Sequence, residues 1–198
     1  MKKLLVLIIS IASVNFANGQ TAESYTGLGV SLIAAAQTDY YANKDTVMTS
    51  TGIVYRINAE VLYTISDITN TRAGRDTSLP DGSVVPDPTP YKITFIGDMP
   101  TICNGIFREV FTTSQIEAFK DTDQDILLSM AVLPSGDIAE VEIQFDKHPI
   151  MYSIPPDKWH EFETKIKQRM KYNVSAKGKT AQFICCVYIW GFRYLQGL

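Results

Sequence analysis

Apolar residues fall on every second position at Ile53, Tyr55, Ile57, Ala59, Val61, Tyr63 and Ile65. A period of two predicts a long strand within Thr46 to Thr69, punctuated at Ser50-Thr51-Gly52 and bent near Asn58. Before it, Val30 to Tyr41 is helix-compatible but carries no decisive period. From Asn70 to Pro90 the apolar signal vanishes and Gly74, Pro80, Gly82, Pro86, Pro88 and Pro90 accumulate, which marks a loop or linker. Tyr91 to Ile96 reads as a strand and Thr101 to Phe111 as another. Ser114 and Glu117 stand at capping-box spacing for a short helix through Lys120.

The last third is patterned more sharply. Ile126 to Leu133 and Ile138 to Phe145 flank Pro134-Ser135-Gly136-Asp137, a turn between two strands, so a β-hairpin is expected. On its second strand Ala139, Val141, Ile143 and Phe145 alternate with Glu140, Glu142 and Gln144, one face dry and the other wet. After Pro155 and Pro156, Trp159, Phe162, Ile166 and Met170 recur at helical spacing and predict an amphipathic helix buried along that stripe. Ala181 to Phe192 is apolar on both faces and is expected as an inner strand. The elements together predict an α+β fold, a mainly antiparallel sheet with one amphipathic helix packed on a face. The chain divides into a leader (1–19), an amino-terminal strand-rich region ending in the Pro/Gly-rich loop (20–90) and an α+β domain (91–198).

The 198 residues are 45% hydrophobic and 20% charged, ordinary globular proportions. Lys2 and Lys3 precede an apolar run from Leu4 to Val14 that ends at Ala17-Asn18-Gly19. The run is shorter than the ~20 apolar residues of a membrane-spanning helix, and it reads as a secretory signal peptide cut between Gly19 and Gln20, leaving no stable membrane anchor. The mature chain would then carry 16 basic and 21 acidic side chains, a net charge of −5. A mildly acidic surface argues against nucleic acid as a partner.

Export makes disulfides possible, but Cys103, Cys185 and Cys186 are the three cysteines. In a strand, neighbours point to opposite faces, so Cys103 can bridge Cys185 or Cys186 but not both; free buried thiols are the alternative. Asp121, Asp123 and Asp125 begin like a calcium loop, yet Ile126 and Val132 stand where Gly and a bidentate Glu are required. His148 and His160 belong to no metal motif. His160-Glu161 reads as a helix surface, and Cys103 with His148 lacks a nucleophile signature. The lysines from Lys158 to Lys179 are interleaved with acids and read as a solvated helix face, and Asn173-Val174-Ser175 matches a glycosylation sequon, which has meaning only in a eukaryotic secretory pathway. No catalytic, cofactor-binding or metal-ligating set emerges, and no cofactor is implied.

The order of helix 112–120, hairpin 127–145, helix 156–170 and strand 182–192 resembles TonB carboxy-terminal-like domains, over roughly the last 90 residues. The leader ending near a Gln, together with Gln37-Thr38-Asp39-Tyr40-Tyr41, looks like uncharacterised secreted proteins of Bacteroides-type bacteria, domains of unknown function. These resemblances imply a bacterial envelope or extracellular location. The function expected is a secreted or periplasmic binding or interaction module, its partner an envelope or extracellular protein or a small ligand. The rivals are a hydrolase using Cys103 or His148, and a component of an envelope assembly joined through its sheet edge.

Overall fold

The computed structural model describes residues 45–58, 63–122, 125–145 and 148–191. The leader expected at 1–19, the cut expected between Gly19 and Gln20 and the segments 30–41 and 37–41 lie outside the described residues. The region expected as one long strand forms three, β1 (Thr46–Met48), β2 (Val54–Asn58) and β3 (Tyr63–Asp67), each antiparallel to the next. The alternation holds within β2 and β3, because Tyr55, Ile57 and Ile65 all face the core; Ala59 and Val61 lie outside the described residues. The turn between β1 and β2 closes with the Thr49 and Ile53 backbones 2.9 Å apart in a hydrogen bond.

β4 (Ile93–Phe95) follows the long loop, and α1 (Met99–Val110) comes next, a helix where the residue types of 101–111 predict a strand. Cys103, Ile106, Phe107 and Val110 are its buried residues, spaced three, one and three apart. That is a helical stripe, and Pro100 sits in the first turn, where it costs no helical hydrogen bond. α2 (Thr113–Lys120) is capped one residue before its start, not at Ser114. The Thr112 hydroxyl accepts from the Gln115 N–H, and the Gln115 side chain accepts from the Thr112 N–H at 2.9 Å.

The hairpin is β5 (Asp125–Val132) and β6 (Ile138–Phe145). A short helix, α3 (Pro149–Tyr152), leads to α4 (Pro156–Arg169), then β7 (Tyr172–Val174) and β8 (Ile184–Gly191). Among the described residues six strands form one antiparallel sheet in the order β1-β2-β3-β6-β5-β8, and β4 pairs with β7 in a separate two-stranded sheet. Val47, Tyr55, Ile57 and Ile65 from the amino-terminal strands share a core with the residues of the hairpin and helices.

Trp159, Phe162, Ile166 and Met170 are buried together, as the stripe predicts. The helix layer is wider than α4 alone. Phe107 of α1 lies 5.9 Å from Phe162 and 4.4 Å from Trp190 of β8, ring centre to ring centre, and Phe119 of α2 lies 5.3 Å from Phe107. Trp159 stacks on Phe145 of β6 at 5.1 Å. Asp157, in the first turn of α4, accepts from the Ser50 N–H at 2.9 Å and so fastens the β1–β2 turn to the helix.

β8 does not take the inner position expected of 181–192. Among the described residues it ends the sheet, paired with β5. Its core-facing set includes Ile184 and Trp190, whereas Val187 and Ile189 on the other face are 55% and 58% exposed. Hydropathy alone reads such a strand as doubly covered. The long loop is not a free linker either: the Gln182 N–H donates to Ser78 O at 2.8 Å, and Val85 and Tyr91 form a small second core with Ala181 and Ile184.

Candidate functional site

Strand alternation sends Tyr55, Ile57, Ile65, Val141 and Ile143 to the helix side, so Arg56, Thr64, Ser66, Glu142 and Gln144 must stand on the opposite, open face. Register aligns them. Arg56 lies opposite Ser66 and Ser66 opposite Glu142, while Thr64 lies opposite Gln144. Two strand spacings put the backbones of Arg56 and Glu142 roughly 10 Å apart. These five side chains, with Asn70, Thr71, Ala73, Gly74 and Arg75 of the following loop, line a cavity of about 330 Å³, within the ~300–1,000 Å³ of small-molecule sites.

The loop wall is held by one buried carboxylate. Glu140, 8% exposed, accepts on Oε2 from the N–H groups of Thr71 (2.9 Å), Arg72 (2.5 Å) and Ala73 (2.9 Å). Three successive backbone donors converging on one anion form a nest. Arg72 adds an ion pair to Glu140 Oε1 at 3.7 Å, and Asn70 Nδ2 donates to Val141 O at 2.9 Å. The wall is thus tied to the same strand that supplies the floor. Gly74 has φ +73°, and a Cβ there would stand 2.9 Å from Glu142 Oε1, so a side chain at 74 would intrude on the pocket carboxylate. Glu142 Oε1 accepts from Gln144 Nε2 at 2.8 Å.

Among the described residues two positive groups face this recess. Arg56 and Arg75 are exposed, and among the described residues neither is ion-paired, in contrast to Arg72. The other described lining groups are the Glu142 carboxylate, hydroxyls, amides and backbone. Such a set can hold a polar ligand by charge and hydrogen bonds.

The residues singled out from the sequence lie elsewhere. Cys103, Cys185 and Cys186 are free thiols in this structure. Burial pushes the Cys103 thiol up to about 12, and it raises Cys185 and Cys186 as well. Cys186 Sγ lies 3.5 Å from the Tyr172 hydroxyl. His160 pairs with Tyr55 instead of Glu161: its Nδ1 is 2.7 Å from Tyr55 Oη, which also donates to the buried Glu163 at 2.5 Å. Glu163 is matched by Lys167 at 2.5 Å. Burial first, then the Glu163 charge, raises the Tyr55 hydroxyl, and its contacts with His160 and Glu163 tie β2 to α4. The His148 ring accepts from the Ile150 N–H at 3.3 Å at the start of α3. Among the described residues no group of three His, Cys, Asp or Glu could hold a metal ion, and no helix is long and apolar enough to cross a membrane.

The pocket residues were missed by sequence reading. Glu142 and Gln144 were visible as the wet face of β6, but nothing in the spacing said that residues 70–75 fold over them.

A comparison with curated proteins returns no significant match. In fold the chain is similar to a DUF5043 family protein from Bacteroides uniformis ATCC 8492, solved by crystallography at 1.85 Å, with a TM-score of 0.64 and 16% identity. That likeness covers 81% of this chain and 90% of the other. The family model described as domain of unknown function DUF5043 matches residues 82–190, more than half of the chain and all of its hairpin, α4 and most of β8, and on that match the chain belongs to the DUF5043 family.

Proposed function

We propose that this protein is a secreted or periplasmic binding module whose ligand site is the polar pocket on the open face of the sheet. The observation that carries the reading is the Glu140 nest. A loop tied down by three backbone hydrogen bonds over a floor of aligned polar side chains holds the pocket's shape before a ligand arrives. The leader at 1–19, and the TonB-like order of helix, hairpin, helix and strand, support an envelope or extracellular location. A hydrolase built on Cys103 would need a lowered thiol pKa, and burial moves this one the other way.

The test is an amide-resolved NMR screen of purified protein against a broad set of polar small molecules. Binders should shift Ser66, Thr71 to Gly74, Glu142 and Gln144; a set that leaves all of them unmoved refutes the reading. Amino-terminal sequencing of the protein from its native host should begin at Gln20, and a chain retained in the cytoplasm from Met1 refutes the location.

The end position of β8 favours a second reading, an envelope component joined through the sheet edge. The Cys185 N–H points away from β5 to Thr77 Oγ1 at 3.0 Å, so by alternation the Val187 and Ile189 backbones also point outward. Val187→Pro removes an outward donor without breaking the β5 ladder. A partner joined by strand addition should be lost from envelope pull-downs with this variant, and unchanged capture refutes that route.

A further inference from the structure

We propose that the pocket takes a small hydroxylated molecule bearing one singly charged oxyanion, a carboxylate or a sulfate ester, with Arg56 and Arg75 holding the anion and Glu142 and Gln144 its hydroxyls. The inference rests on the pocket being the binding site and adds the class of its ligand.

Charge decides the first part. Arg56 and Arg75 bring two positive charges to the lining and Glu142 one negative charge, so the described residues give the recess a net charge of +1, which a monoanion balances. Guanidinium forks match planar carboxylate oxygens and sulfate oxygens in pairs. Neither Arg56 nor Arg75 is neutralised by a carboxylate among the described residues, although Arg72 of the same loop is taken up by Glu140. A dianion such as a phosphate monoester would meet the Glu142 carboxylate as a like charge in a confined space.

The rest of the lining decides the frame. Thr64, Ser66, Asn70 and Gln144 offer hydroxyl and amide groups that can both donate and accept. Glu142 is acceptor-only and suits the hydroxyls of a ligand. Among the described residues the lining holds no aromatic ring and no large aliphatic side chain, so an apolar ligand would find little there to replace its lost water.

The experiment titrates purified protein at pH 7 with four compounds on one frame: glucuronate, glucose 6-sulfate, glucose 6-phosphate and glucose, followed by the amides of Ser66, Thr71 to Gly74 and Glu142. Glucuronate and glucose 6-sulfate should bind at least about tenfold more tightly than the other two, the equivalent of about 1.4 kcal/mol, and the stronger of the pair identifies the oxyanion. Arg56→Gln and Arg75→Gln should each weaken that ligand by about tenfold or more, whereas Arg108→Gln, on the exposed side of α1, should not. Glu142→Gln should remove the discrimination against glucose 6-phosphate. The spectra themselves report whether each variant is folded. Equal binding of glucose and glucuronate at the pocket, or binding indifferent to both arginine variants, overturns the ligand class while leaving the pocket as a site. Failure of all four compounds to move the pocket amides also overturns the ligand class, and the broad screen then decides separately whether the pocket binds anything.

Discussion

Replacing Glu140 by Ala removes the acceptor on which the pocket wall depends. Hydrogen bonds to a charged partner contribute ~1.5–3 kcal/mol each, and three backbone N–H groups converge on the Oε2 atom alone. Their sum is an overestimate, because donors sharing one oxygen are not independent and Thr71, Arg72 and Ala73 are only partly covered, so water replaces some of the loss. We expect Glu140→Ala to cost about 2–4 kcal/mol, and Glu140→Gln about half of that, since an amide keeps one oxygen but loses the charge. Trp159 and Trp190 are both buried and report unfolding by fluorescence. The assay is urea denaturation, with the midpoint shift read at unchanged slope, alongside hydrogen exchange at residues 71 to 73. Protection there should fall before the core opens. A Glu140→Ala protein within about 0.5 kcal/mol of the parent, with residues 71 to 73 still protected, would refute the nest as the device that holds the wall.

Gly136 has φ +92°, and a Cβ would fall 1.9 Å from Tyr172 O, a backbone atom that cannot step aside; Gly136→Ala should cost more than about 3 kcal/mol and lower Tm by more than about 6 °C at ~2 °C per kcal/mol, as calorimetry would show. Glu109 of α1 accepts from both Arg169 Nη atoms at 2.6 Å and from Lys165 at 3.1 Å, which holds its carboxyl down at about 2. A depressed carboxylate contributes stability above the ordinary range near 4.5 and loses it as pH falls toward 2. Glu109→Gln should therefore flatten the fall of Tm across that window at low salt, and identical acid limbs would count against the α1–α4 tie. Cys103 should resist alkylation in native buffer at pH 8 and react in urea, and three adducts by intact mass without reductant would confirm the free thiols, whereas one adduct would reveal a bridge.

How much was legible in advance depends on whether the governing interaction is local. The hairpin was readable because Val141, Ile143 and Phe145 alternate with Glu142 and Gln144 around a turn whose Gly136 the backbone requires. α4 was readable because Trp159, Phe162 and Ile166 repeat at the helical period. Where β-branched and aromatic residues crowd a helix, as in Ile106, Phe107 and Val110 of α1, propensity pointed to a strand although the buried positions keep helical spacing. Burial against Phe162 and Trp190 overrides that weak preference. The end position of β8 was not readable, since the residues of an outer strand can be as apolar as those of an inner one; the order of strands is a property of pairing between distant segments.

The pocket is the furthest case. Alternation made Arg56, Ser66 and Glu142 polar-face residues, a local consequence of the pleat. Only the tertiary pairing of β2, β3 and β6 set them in one row, and only Glu140, 67 to 69 residues along the chain from the amides it binds, folded the loop over them. Side-chain period is written in neighbouring residues, whereas the closure of a loop onto a distant carboxylate is decided by which strands meet.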